Sequence, residues 1–234
     1  MFVVRGALAG FMVLSVVTGG TRAAGSQEAQ GGAQALFDAV LGRYAGYRDF
    51  QARFVETSAS RASREGVPES GIVSFRRPAL WRWEYLSPEK KLVVIRGKLA
   101  TIAFDGEPEA SRYELGDEGG ESGVGVLLAG SERAKELFRA RFEGDGRGKE
   151  PLLRLDPVRI SDEFDYVLVR VRRSDLSILA VVVVDPGANE LRFEFSMFRP
   201  DLGLAESLFD LAPAPSTSPP AAAAAKPAKP APNP

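Results

Sequence analysis

Few folds accept the run Leu80-Trp81-Arg82-Trp83-Glu84-Tyr85-Leu86. Side chains alternate faces along a β-strand, so Trp81, Trp83 and Tyr85 point one way while Arg82 and Glu84 point the other. Three rings on one side of one strand need an apolar layer, and the charges opposite need water. An antiparallel sheet with one face on a core and one in solvent meets both needs. Pro78 before the run and Ser87-Pro88 after it bound the strand, since proline cannot donate to a ladder.

Similar periodicity recurs along the chain. Phe50-Gln51-Ala52-Arg53-Phe54 alternates, as does Gly71–Arg76, with Val73 and Phe75 on one face. Leu92–Arg96 and Leu99–Phe104 follow, joined by Gly97-Lys98, with Asp105-Gly106 as the next turn. Ser111–Leu115, Leu152–Leu155, Tyr166–Val171 and Leu179–Val184 complete a series interrupted by Asp185-Pro186-Gly187. Glu190–Phe198 places Leu191, Phe193, Phe195 and Met197 on one face, and Leu208–Leu211 reads as a last short strand. Two segments read as helices. Gln34–Tyr47 carries Leu36, Phe37, Val40, Leu41 and Tyr44 as one stripe. Val124–Phe142 begins with Val126, Leu127 and Leu128, and Ser131 is placed to cap its second half. Gly116–Gly125 is an acidic, glycine-rich loop. The sum is an α+β plan, mostly antiparallel β with two helices inserted.

The two ends read differently from the middle. Residues 1–23 have the pattern of a secretory signal peptide. Arg5 comes first, then an apolar run from Ala7 to Val17 that is too short for the roughly 20 residues of a membrane span, then Thr21-Arg22-Ala23. Export out of the cytoplasm is the expectation. Residues 212–234 are rich in proline and alanine, have nothing to bury, and read as a disordered tail. One domain is expected from 24 to 211.

Composition narrows the chemistry. With His 0 and Cys 0, the chain has no Ser-His-Asp or Cys-His pair, no imidazole or thiolate zinc site, and no disulfide. No cofactor or metal is expected. A formal net charge of −1 lacks the basic excess that nucleic acid requires, so no nucleic-acid partner is expected. Two acidic groups, Asp162-Glu163-Asp165 and Asp117-Glu118-Glu121, leave a carboxylate-dependent hydrolase as a rival, although acidic loops are ordinarily solvated. The aromatic face itself reads most simply as core. Two helices are few to cover so long a sheet, however, and an uncovered stretch would form an apolar hollow.

The run Gly71-Ile72-Val73-Ser74-Phe75-Arg76-Arg77-Pro78-Ala79-Leu80-Trp81-Arg82-Trp83-Glu84-Tyr85, followed by Pro88 and Leu92–Gly97, resembles the signature segment of the LolA family of periplasmic lipoprotein carriers. Phe50–Phe54 is similar to that family's first strand, Val126-Leu127-Leu128-Ala129-Gly130 to its central helix, and Phe195–Phe198 with Glu206–Phe209 to its C-terminal strands. The likeness runs in order from Leu36 to Leu211. It implies a curved, incomplete antiparallel β-barrel, a half-barrel, with helices covering the open side as a lid. It also implies a periplasmic, monomeric, non-enzymatic carrier of acylated lipoproteins. Such a carrier is loaded by an inner-membrane ABC transporter and unloads to an outer-membrane receptor. The receptor that shares this fold is anchored through an N-terminal Cys, so a chain without Cys resembles the soluble carrier. On this resemblance the lipid-binding face comprises Phe54, Phe75, Trp81, Trp83, Tyr85, Leu92, Val94 and Phe104, closed from the helices by Leu36, Val40, Leu127 and Leu128. Arg77 holds the family's gate position, where its guanidinium would bond lid carbonyls.

Overall fold

In the computed structural model, which describes residues 21–60, 66–116, 124–161 and 164–211 (backbone only for 21–30), the alternating segments form one antiparallel sheet. In chain order its strands are β1 Asp49–Ala59, β2 Glu69–Arg76, β3 Leu80–Ser87, β4 Lys91–Arg96, β5 Leu99–Phe104 and β6 Ser111–Glu114, then β7 Phe138–Glu143, β8 Leu152–Pro157, β9 Tyr166–Arg172, β10 Ser177–Val184 and β11 Glu190–Pro200. The spatial order is β6-β5-β4-β3-β2-β1-β11-β10-β9-β8-β7. β1 and β11 pair in the middle and the chain's two halves run outward from them, so β6 and β7 end as edges and the barrel stays incomplete.

Helix α1 (Thr21–Ala45) lies against β7 and α2. Its stripe of Leu36, Phe37, Val40, Leu41 and Tyr44 is buried, as the spacing requires. Gln34 also accepts the N–H of Ala140 at 3.0 Å, which occupies a donor on the exposed edge of β7. α2 is Val124–Leu128 and α3 is Arg133–Leu137. No helix among the described residues is long and apolar enough to cross a membrane. α1 begins at Thr21, so the expected cleavage point near Ala23 falls in its first turn. The rest of the signal-peptide reading, the Pro/Ala tail from 212, and the acidic residues Asp117, Glu118, Glu121, Asp162 and Glu163 lie outside the described residues.

Three local expectations are corrected. The single helix Val124–Phe142 is two short helices and a strand. Gly130, at φ +61, ends α2 where a Cβ would stand 2.3 Å from the Ala45 nitrogen, so only glycine lets α2 meet α1 here. Phe138-Arg139-Ala140-Arg141-Phe142 alternates as well as any strand in the chain, and β8 supplies its partner. Ser131 still accepts the Arg133 N–H at 3.3 Å. In β11 the alternation breaks at Met197, which sits at φ +51 and is 66% exposed. There the pairing slips from Arg53↔Ser196 to Gln51↔Arg199, a bulge that turns Phe198 inward in place of Met197. Finally, Leu208–Leu211 is not a strand. Glu206–Phe209 forms a 3-10 helix on the outer face of β3 and β4, with Phe209 wholly buried.

That C-terminal segment is held by polar groups. The buried carboxylate of Asp49 accepts the backbone N–H groups of Leu202, Gly203 and Leu204 at 2.7–3.2 Å. Arg76 donates to the Leu204 carbonyl, Arg82 to that of Leu208, and Arg96 to Glu206 and Asp210. Asp49→Ala takes the charged acceptor away from these three N–H groups, and should cost about 2–4 kcal/mol of stability in urea unfolding. A loss below about 0.5 kcal/mol, the ordinary effect of a neutral surface change, would contradict this role.

Candidate functional site

The register of β1–β5 builds a concave face in three rows. Phe50, Phe75, Trp81, Ile95 and Ala100 stand opposite one another across the strands. Ala52, Val73, Trp83, Val93 and Ile102 form the next row, and Phe54, Gly71, Tyr85, Lys91 and Phe104 the third. Gly71 is needed in that third row, because a Cβ there would lie 2.0 Å from the Glu84 carbonyl oxygen and 3.0 Å from the Phe54 ring. Without it Phe54 and Tyr85 could not approach to 5.0 Å between centroids.

The rings pack on one another. Phe75 and Trp81 lie 4.4 Å apart, Phe54 and Trp83 5.1 Å, and Trp83 and Phe193 5.5 Å. Phe54, Phe75, Trp81 and Tyr85 are buried, and Trp83 and Phe104 are partly exposed. From above, Leu36 and Val40 of α1 and Leu127 and Leu128 of α2 join the same apolar cluster. Nine of the twelve expected lining residues thus meet in this cluster, and Phe104 shares their face at the outer end of the third row. Leu92 and Val94 are the exceptions. They pair with Glu84 and Arg82 and therefore stand on the opposite face of the sheet, Val94 on the side covered by the C-terminal 3-10 helix. Their neighbours Val93 and Ile95 face the rings instead. Lys91-Leu92-Val93-Val94-Ile95 offers apolar residues at both phases, so its own pattern did not reveal the face. Pairing with β3 decides it, since Ile95 stands opposite Trp81 and Val93 opposite Trp83.

Arg77 sits just past β2 and reaches the helices. Its Nε donates to the carbonyl of Tyr47 at 2.9 Å, and its Nη2 donates to those of Tyr44 at 3.1 Å and Ala129 at 2.7 Å. These carbonyls lie at the C-terminal ends of α1 and α2, where a cation meets the negative end of each helix; that of Tyr44 also accepts the Tyr47 N–H at 3.2 Å. One rigid guanidinium thus ties both helices to the sheet. Arg77 also lies over the Phe75 ring at 5.6 Å, so the tie stands directly above the aromatic face. Tyr44 and Tyr47, together with Phe198 and Phe50, close that end, and the Tyr44 hydroxyl accepts the Ile178 N–H at 3.0 Å. Burial holds the Tyr44 hydroxyl well above its ordinary pKa, so it stays neutral.

The opposite end of the concave face is polar. Tyr85 donates to Glu56 at 2.6 Å, and Lys91 bonds both oxygens of Glu69 at 2.8 and 2.9 Å while standing 4.1 Å from the Tyr85 ring centre. A cavity of about 410 Å³ lies by Ser58, Val183 and Leu191, while one of about 240 Å³ is lined mostly from the opposite face of the sheet, by Arg82, Glu84, Leu92 and Ala103. Glu56 is held above the usual carboxylate range by burial, partly offset by the Tyr85 hydrogen bond. The folded state therefore keeps the Glu56 proton to higher pH than the unfolded chain. The resulting stabilisation is full below about pH 4.5 and declines as pH rises through the raised value. Glu56→Gln should flatten the fall of the thermal midpoint between that pH and neutrality, and an unchanged profile would contradict it.

The chain has relatives among known proteins. The sequence matches the family described as outer membrane lipoprotein carrier protein LolA over residues 45–212. The outer-membrane lipoprotein carrier protein of Chromobacterium violaceum is 27% identical over 168 residues, 72% of this chain and 79% of that protein. The protein of the same description from Methylibium petroleiphilum is 27% identical over 178 residues, 75% and 84% of the two chains. The crystal structure of a LolA superfamily protein from Nitrosomonas europaea aligns with a TM-score of 0.40 at 11% identity, covering 74% of this chain and 93% of that one. The family match takes in β1–β11, Arg77 and the whole aromatic face, and this chain belongs to the LolA family of outer-membrane lipoprotein carrier proteins.

Proposed function

We propose that the protein is a periplasmic carrier that shelters the acyl chains of lipoproteins between the inner and outer membranes. Exposing an acyl chain to water costs about 0.8 kcal/mol per CH₂, so a chain of about 16 carbons faces on the order of 12 kcal/mol. Lipoproteins with two or three chains need a container to cross an aqueous space. The observation that carries this reading is the placement of Arg77, whose three bonds to lid carbonyls stand above a face made almost wholly of aromatic and aliphatic side chains.

In the closed form the rings occupy that face themselves. Their contacts are dispersive and non-directional, so an acyl chain can take the place of ring and lid contacts without leaving polar groups stranded. Uptake then separates the Tyr44, Tyr47 and Ala129 carbonyls from Arg77, and release lets them re-form. Leu36, Val40, Leu127 and Leu128 move with the lid, while Phe54, Phe75, Trp81, Trp83, Tyr85 and Phe104 stay on the sheet. Val93 and Ile95 line the face in place of Leu92 and Val94, with Ile102 beside Val93. No covalent step is involved. Energy for loading comes from an inner-membrane ABC transporter, and an outer-membrane receptor accepts the cargo.

The test is extraction. The protein lacking its first 23 residues, incubated with spheroplasts as a monomer, should release acylated proteins from the inner membrane into the supernatant. Mass spectrometry of what it holds separates lipoprotein from free lipid or glycolipid. Recovery of free lipid alone would replace this function with transport of another envelope lipid on the same scaffold.

A further inference from the structure

Trp81 is 1% exposed, and its indole Nε1 has no hydrogen-bond acceptor within the protein. Buried donors are nearly always paired. Tyr85, on the same strand, obeys that rule, since its hydroxyl donates to Glu56. Trp81 also stands in a row whose other members, Phe50, Phe75, Ile95 and Ala100, carry no polar side-chain atom. Its partner Phe75, 4.4 Å away, shows that a plain ring suits this row. What the indole adds there is size and one N–H donor.

A fatty acyl chain is the complement of that surface. It is hydrocarbon with one acceptor, the ester or amide carbonyl, and no donor on an ester. The row holding Trp81 is the one beneath Arg77, which lies over the Phe75 ring. Movement of the lid therefore uncovers this row.

We infer that the Trp81 N–H donates to the carbonyl of a bound acyl group, so that the hollow prefers acyl chains to alkyl chains lacking that carbonyl. The inference rests on the carrier reading and adds a polar anchor to it. The closed form leaves the donor unpaired and the loaded form pairs it, so the bond favours the loaded state.

Two ligand pairs test this: a dipalmitoyl lipopeptide against its dihexadecyl ether analogue, and dipalmitoyl phosphatidylcholine against its dihexadecyl ether analogue. The wild-type protein should bind the ester form about three- to tenfold more tightly than the ether, as expected for one neutral hydrogen bond. An ester preference within the lipopeptide pair assigns the anchor to protein cargo, and one confined to the phospholipid pair assigns it to free lipid. Trp81→Phe should still bind the ether and lose the preference. The chain has Trp 2, so its two indole N–H resonances are readily told apart, Trp81 being the one lost in Trp81→Phe. That resonance should move downfield with ester and stay in place with ether, a shift read on the wild-type protein itself. Equal binding of ester and ether by the wild type, a preference that survives in Trp81→Phe, or an indole proton unmoved by ester overturns the anchor while leaving the carrier reading intact. If neither member of either pair binds, the carrier reading falls and the anchor with it.

Discussion

Arg77→Leu should hold cargo more tightly than the wild type and release it more slowly. Closure and cargo compete for the same space, so every interaction that favours the closed form lowers the apparent affinity for cargo. Arg77 contributes three charged hydrogen bonds to closure. Bonds to charged groups contribute about 1.5–3 kcal/mol each, but unpaired lid carbonyls recover water on opening, so a net of about 3 kcal/mol is reasonable. Removing that bias should raise affinity for a diacyl lipopeptide by up to about 100-fold. The empty variant should also take up an environment-sensitive apolar dye that the wild type excludes. Lysine keeps the charge but not the planar five-donor fork, so Arg77→Lys should fall between the two. If Arg77→Leu binds and delivers cargo as the wild type does, Arg77 is a structural arginine and the lid is not its concern.

Trp83→Glu should abolish uptake with the fold retained. Trp83 stands at the middle of the concave face, within 6.2 Å of Trp81 and 5.1 Å of Phe54 between ring centres, yet it is only partly buried. A carboxylate there can keep water in the empty protein. It cannot do so once acyl chains fill the hollow, where it must be stripped of water or protonated. The expected loss of lipopeptide affinity is at least about 100-fold, with the far-ultraviolet circular dichroism unchanged. Trp83→Phe, which removes area without adding charge, should lose only a few-fold. Equal binding by Trp83→Glu and wild type would place the cargo elsewhere than the face built by β1–β5.

Much of this site was legible in residue order because strand alternation is local. Trp81, Trp83 and Tyr85 had to share a face, and so did Phe50 with Phe54 and Val73 with Phe75. The Arg77-Pro78 segment that carried the family likeness also carried the tie to the helices. The places that misled have one cause in common. In Lys91–Ile95 both phases are apolar, so the local pattern cannot say which is inside, and pairing with Trp81 and Trp83 decides it. In Phe138–Phe142 the segment adopts a strand because β8 is there to pair. In β11 the bulge at Met197 exchanges one inward residue for the next, a choice made where Phe198 meets Tyr44, Tyr47 and Phe50.

Order along the chain alone determined a mainly antiparallel protein with an aromatic face and no imidazole or thiol chemistry, because composition and period two are properties of near neighbours. Which residues meet across the sheet, which carbonyls Arg77 holds, and which buried donor is left without an acceptor were decided only by the tertiary structure. Those facts depend on groups far apart in sequence, such as Arg77 and Ala129, whose positions are set by the packing of α1 and α2 against the sheet.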